Sequence, residues 1–164
     1  MTDAALAALG WSDYFATQLE PGEIEATPPA RLCDVHRDRV QAMTPEGEIT
    51  LTLPGDMQVG DLAVGDWVLV DPDENRIVRA LEPRSVLRRR AAGTVLMHQL
   101  IAANVDTLII VTSCNADFSP ARLERYLTLA ASSDTEPLIV LTKGDLVDNA
   151  DDYVRQAEAL SPHV

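Results

Sequence analysis

The strongest constraint on this chain is a change in the spacing of its apolar residues near residue 105. Beyond it lie two unbroken apolar runs, Thr107-Leu108-Ile109-Ile110-Val111 and Leu138-Ile139-Val140-Leu141. Runs of this length predict strands buried on both faces of a parallel sheet. Between them, Ser119-Pro120 is a helix start, with serine as N-cap and proline at the first helical position. Leu123, Tyr126, Leu127 and Ala130 then fall on one helical face. Pro137 leads into the second strand, and Asp148 or Asn149 begins another helix with Val154, Ala157 and Leu160 on its apolar side. Strand, helix, strand, helix is the order of an α/β domain. Two parallel strands are too few for an independent doubly wound domain, so this half reads as incomplete.

The first half follows a different rule. Ala4 to Leu9 predicts a short helix ended by Gly10, with Trp11 and Phe15 as apolar anchors. Glu20 to Pro29, rich in proline and acids, reads as a tether. Arg31 to Val40 and Glu48 to Leu53 alternate polar with apolar, as half-buried strands do, and Pro45-Glu46-Gly47 between them reads as a turn. Gly55-Asp56, Gly60-Asp61 and Gly65-Asp66 mark further turns, with the aspartates capping backbone. Trp67 to Val70 and Arg76 to Leu81 are strands around a turn at Asp71 to Asn75. Short antiparallel strands at this spacing predict a small closed β-barrel.

Composition narrows the classes. A net charge of −13 opposes broad nonspecific nucleic-acid binding, which needs a positive surface to displace counterions, and leaves room only for a local basic patch. Cys33 and Cys114 form no CxxC pair and read as buried free thiols in a reducing cytoplasm. They and the scattered His36, His98 and His163 supply no metal site. No apolar run reaches the roughly 18 residues of a membrane span, and no secretory signal opens the chain. A cytoplasmic protein without a membrane partner is expected.

Two constellations carry chemistry. Thr142-Lys143-Gly144-Asp145 follows the second buried strand directly, where α/β sheets bind ligands. A carboxylate there can accept two hydrogen bonds from the N1 and N2 donors of guanine, a pair that adenine lacks. The same tetrapeptide also fits an ordinary strand-to-helix loop whose aspartate caps the next turn. Arg84, Arg88, Arg89 and Arg90 place four of the chain's 13 basic residues within one short segment after the barrel strands. Arginine suits bidentate phosphate contacts and base stacking, so the segment is either an RNA contact or a solvated linker paired with nearby acids. No G-x-x-x-x-G-K-[ST] phosphate loop occurs. A nicotinamide-binding half is disfavoured, because Ser113-Cys114-Asn115 follows the first buried strand where a glycine-rich turn would be needed.

Read together, Gly65-Asp66-Trp67-Val68, Arg88-Arg89-Arg90, Ile101 to Asp106, Asp117-Phe118, Arg122 to Leu127 and Pro137 to Leu146 resemble the circularly permuted, ribosome small-subunit-dependent GTPases of bacteria. The resemblance implies an N-terminal extension over residues 1–30, an OB-fold RNA-binding barrel over 31–90, and the start of a circularly permuted P-loop-NTPase-type G domain over 91–164. It implies that Thr142, Lys143, Gly144 and Asp145 hold guanine, and that Arg84, Arg88, Arg89 and Arg90 contact ribosomal RNA of the small subunit. In the family the phosphate loop and a zinc-binding domain follow. The complete protein would therefore use GTP with Mg²⁺, whereas this chain is expected to lack the zinc site and not to hydrolyse GTP alone. A non-catalytic ribosome-binding module is the alternative.

Overall fold

The computed structural model describes residues 3–36, 39–90 and 98–160. The chain divides into two compact units, Met1–Asn104 and Val105–Val164.

The first unit opens with three short helices, α1 (Asp3–Ala8), α2 (Asp13–Ala16) and α3 (Glu23–Ala26). Five strands follow: β1 (Pro29–Val35), β2 (Val40–Thr44), β3 (Gly47–Leu51), β4 (Trp67–Asp71) and β5 (Arg76–Ala80). They form one sheet in the order β3-β2-β1-β4-β5, with every neighbouring pair antiparallel. The expected strand from Arg31 to Val40 is in fact two, because the chain turns back and β2 begins at Val40. Gln41-Ala42-Met43, without β-branched residues, gave no strand signal.

The sheet was expected to close as a barrel. Its outer strands instead meet at a single bridge between Thr52 and Arg76, where Thr52 N–H donates to the Asn75 carbonyl at 3.0 Å and Ile77 N–H to the Thr52 carbonyl at 2.9 Å. No ladder runs between β3 and β5 among the described residues. A five-stranded antiparallel sheet is what forms.

Burial on both faces of β4 organises this unit. Val68 and Val70 join Ala30, Leu32, Val40, Ala42, Leu51 and Ile77 on one side. Trp67 and Leu69 face Leu6, Phe15 and Leu81 on the other. Full burial of such side chains contributes about 1.5–3 kcal/mol each. The Trp11 ring stands edge-on to Trp67, with centroids 4.9 Å apart. Residues 20–29 are therefore no simple tether. They contain α3, whose Glu23 accepts from Arg79 Nε and Nη2 at 3.0 and 2.9 Å. That guanidinium holds the Glu23 carboxyl below its ordinary pKa.

Cys33 also departs from expectation. The β1–β2 register shifts between Leu32 and Asp34, so Cys33 is the extra residue of a bulge and lies exposed, while Cys114 is buried. The unit ends in a second antiparallel pair, β6 (Val86–Arg90) with β7 (His98–Ala103).

The second unit contains β8 (Thr107–Ser113), α4 (Pro120–Ser132), β9 (Glu136–Thr142) and α5 (Ala150–Glu158). β8 and β9 pair in parallel from Thr107↔Glu136 to Ser113↔Thr142. Ser119 caps α4 as expected, its Oγ accepting from the Arg122 N–H at 3.3 Å. Ile110, Leu123 and Ala157 make the core, with Leu108, Phe118, Leu127, Ile139 and Leu160 packed around it. The expectation of strands buried on both faces fails here. Both helices lie against one face, and on the other Ile109, Val111 and Leu138 are 58%, 63% and 45% exposed. Tyr126 and Val154, expected on apolar helical faces, are exposed at the margins of α4 and α5. Among the described residues no helix is long and apolar enough to cross a membrane.

Candidate functional site

Parallel pairing carries β8 and β9 to a common end, so the loops after Ser113 and Thr142 emerge side by side. Two hydrogen bonds clasp them. Cys114 N–H donates to the Thr142 carbonyl at 2.9 Å, and Thr142 Oγ1 donates to the Thr112 carbonyl at 3.1 Å. Thr142 thus spends its hydroxyl on β8. The chain then takes a left-handed step at Lys143, φ 60°, and closes one 3₁₀ turn over Gly144–Leu146. Lys143 and Asp145 are exposed on this turn. The structure therefore brings the four expected guanine residues into one turn: two present side chains to solvent, and Thr142 ties the turn to its neighbour.

The adjoining loop is equally organised. Asn115 Oδ1 accepts from Ser113 Oγ at 3.0 Å and from Asp117 N–H at 2.9 Å. Arg122 Nη2 reaches back from α4 to the Asp117 carbonyl at 2.6 Å and to Thr112 Oγ1 at 3.3 Å. Sequence reasoning missed Asn115 and Arg122 as supports. The asparagine two residues before Asp117 carried the signal, being the pattern of a side-chain-closed turn.

An exposed carboxylate at the end of a parallel strand can accept hydrogen bonds from two neighbouring N–H donors. Among the described residues no group of three His, Cys, Asp or Glu side chains is arranged to hold a metal ion.

The arginine segment is not a linker. Arg88, Arg89 and Arg90 lie on β6 opposite Leu100, Gln99 and His98 of β7. Arg89 Nε and Nη2 both donate to Gln99 Oε1, at 3.3 and 3.2 Å. Strand alternation points Arg88 the other way, into a cleft of about 340 Å³ that it lines with Asp61, Asp66 and Glu82. Asp66 is buried there, its Oδ2 accepting from Ala63 N–H at 2.7 Å, and desolvation pushes its carboxyl above the ordinary value. Arg84 sits just before β6, its N–H donating to Asn104 Oδ1 at 2.7 Å. The four arginines thus differ in surroundings. Arg84, Arg88 and Arg89 are all exposed, Arg88 beside the acids of the cleft, and the Arg90 side chain lies outside the described residues.

Comparison with known proteins places these features. The family model described as RsgA GTPase matches residues 80–163. The small ribosomal subunit biogenesis GTPase RsgA of Mesorhizobium japonicum is 50% identical over 156 residues, 95% of this chain and 44% of that protein. RsgA 2 of Vibrio parahaemolyticus is 40% identical over 161 residues, 98% of this chain and 44% of its own length. The Opitutus terrae protein of the same name is 36% identical over 172 residues, 94% of this chain and 46% of its length. This chain spans less than half the length of these curated relatives. The match covers both loops at the strand ends and the arginine strand β6, and it places the chain in the RsgA GTPase family.

Proposed function

We propose that this chain carries the guanine-reading part of a cytoplasmic GTPase acting in small ribosomal subunit biogenesis. The observation that carries this reading is the turn of Lys143 to Leu146, which leaves Asp145 exposed at the carboxyl end of the parallel pair while Thr142 anchors it to β8. Asp145 accepts from guanine N1 and N2, the Lys143 stem lies along the base, and Thr142 and Gly144 shape the turn. The G domain is circularly permuted and begins within residues 91–164. Its phosphate loop, which with Mg²⁺ would hold the β- and γ-phosphates, belongs to the part of the relatives' length that this chain does not span. On the same reading a zinc-binding domain belongs to that part as well. Residues 31–90 form the OB-fold with residues 1–30 as its extension, a reading supported by the order β3-β2-β1-β4-β5 and by the meeting of the outer strands at Thr52 and Arg76.

Asp145→Asn in a protein that also carries the phosphate loop should shift preference from GTP towards xanthosine triphosphate, because the donor and acceptor pattern at that edge is reversed. Unchanged preference for GTP would assign Asp145 to turn structure alone.

A second reading, a non-catalytic ribosome-binding module, is favoured by the exposed Arg89 on β6 and the exposed Arg84 just before that strand. It predicts association with small ribosomal subunits that falls steeply with salt and weakens in Arg84→Ala/Arg89→Ala. Binding indifferent to both salt and substitution would remove it.

A further inference from the structure

Asn104, the last residue of the first unit, is 7% exposed and has all four of its polar atoms engaged. Its N–H donates to the Ser85 carbonyl at 2.8 Å and its carbonyl accepts from Arg31 Nη2 at 3.0 Å. Its Oδ1 accepts from Arg84 N–H at 2.7 Å, and its Nδ2 donates to the Gly65 carbonyl at 3.0 Å. The partners belong to three different parts of the unit: β1, the turn before β4, and the entry to the arginine hairpin. Arg31 extends the set by donating from Nη1 to the Leu9 carbonyl at 2.7 Å.

Resting on the RNA reading of the arginine strand, we propose that Asn104 is the positioning residue that fixes the β6–β7 hairpin against the five-stranded sheet and so sets where Arg84 and Arg89 meet RNA phosphates. The residue type follows from the geometry. The backbone at 104 is left-handed, φ 55°, which asparagine and glycine tolerate and most residues do not. Glycine would keep the backbone but lose both side-chain bonds. Aspartate would keep the acceptor for Arg84 but set a carboxylate oxygen against the Gly65 carbonyl. Asparagine alone supplies the backbone, the acceptor and the donor together.

A second residue points to the same joint. Gly65 has φ 95°, and a Cβ there would stand 2.0 Å from the Ala103 carbonyl oxygen. The hairpin therefore approaches the turn closely enough to exclude any side chain, and Ala103 N–H donates to the Val64 carbonyl at 2.8 Å. One face of the joint needs a missing side chain and the other a bifunctional one.

Asn104→Gly tests the idea without backbone strain. By hydrogen–deuterium exchange of the full 164-residue chain, amides of β6 and β7 should exchange about tenfold to a hundredfold faster. Those of β1 and β2 should stay within about twofold of the parent protein. In co-sedimentation with purified small ribosomal subunits, affinity should fall about tenfold or more, and adding Asn104→Gly to Arg84→Ala/Arg89→Ala should cause little further loss, because both act through the same contacts. Unchanged protection of the hairpin would overturn the proposal. So would full additivity in the combined variant, or a faster-exchanging hairpin whose ribosome affinity is unchanged while the arginine variant loses it. If the hairpin loosens and neither variant alters ribosome binding, the RNA reading falls while the role of Asn104 in holding the hairpin stands.

Discussion

The two units of this protein satisfy apolar strands in opposite ways. In the first, β4 is covered on both sides, by the sheet's own core around Val68 and by the N-terminal helices around Trp67. In the second, β8 and β9 bury Ile110 and half-bury Ile139 beneath α4 and α5 but leave Ile109, Val111 and Leu138 open. Parallel strands are ordinarily covered on both faces. The contrast teaches that unbroken apolarity in a strand records the environment it suits, while alternation records which face is covered.

The largest effects should separate the covered positions from the open ones. Trp67→Ala, which removes the centre of an aromatic cluster, should cost about 3–5 kcal/mol in chemical denaturation. Ile110→Ala in the second unit should cost about 2–5 kcal/mol, whereas Ile109→Ala one residue away should cost roughly 0.5 kcal/mol or less. Equal losses at 109 and 110 would break the comparison, because they would mean that the open face is covered in solution. Ser119→Ala, which deletes the cap of α4, should cost about 1 kcal/mol, read from the same denaturation curves.

The smallest effect concerns pH. Arg79 depresses the Glu23 carboxyl below its ordinary 4.5, so its contribution is present above that value and is lost as pH falls below it through the depressed folded value. Trp11 fluorescence should therefore report loosening of the helical segment under acid in the parent protein. In Glu23→Gln the segment should already be looser at neutral pH, and the acid-dependent change should be smaller. Identical titrations would separate α3 from the ion pair. Asp66 has the opposite sign. Its carboxyl is raised by burial, so it opposes folding when ionised and is relieved as pH falls.

Much of this was legible from residues. The cap at Ser119, the turn glycine at 65, the strands around Asp71 to Asn75 and the turn after β9 all follow local rules that sequence carries directly. What was illegible depended on partners distant in the chain. β6 was hidden because consecutive arginines give no apolar alternation, and only pairing with β7 makes them a strand. The role of residues 20–29 needed Arg79, which lies more than fifty positions away. At the site, the placement of Asp145 in the loop directly after the second parallel strand was foreseen. The clasp of Thr142 to Thr112 was not, since it depends on the register between two strands separated by a helix.

The most direct test of the guanine reading is to titrate the isotopically labelled chain with GDP and, in parallel, ADP, following backbone amide shifts. The account predicts shifts at Lys143 to Leu146 and at Ser113 to Asn115 with GDP and none of comparable size with ADP. Equal responses to both nucleotides, or shifts confined to the rest of the protein, would contradict it.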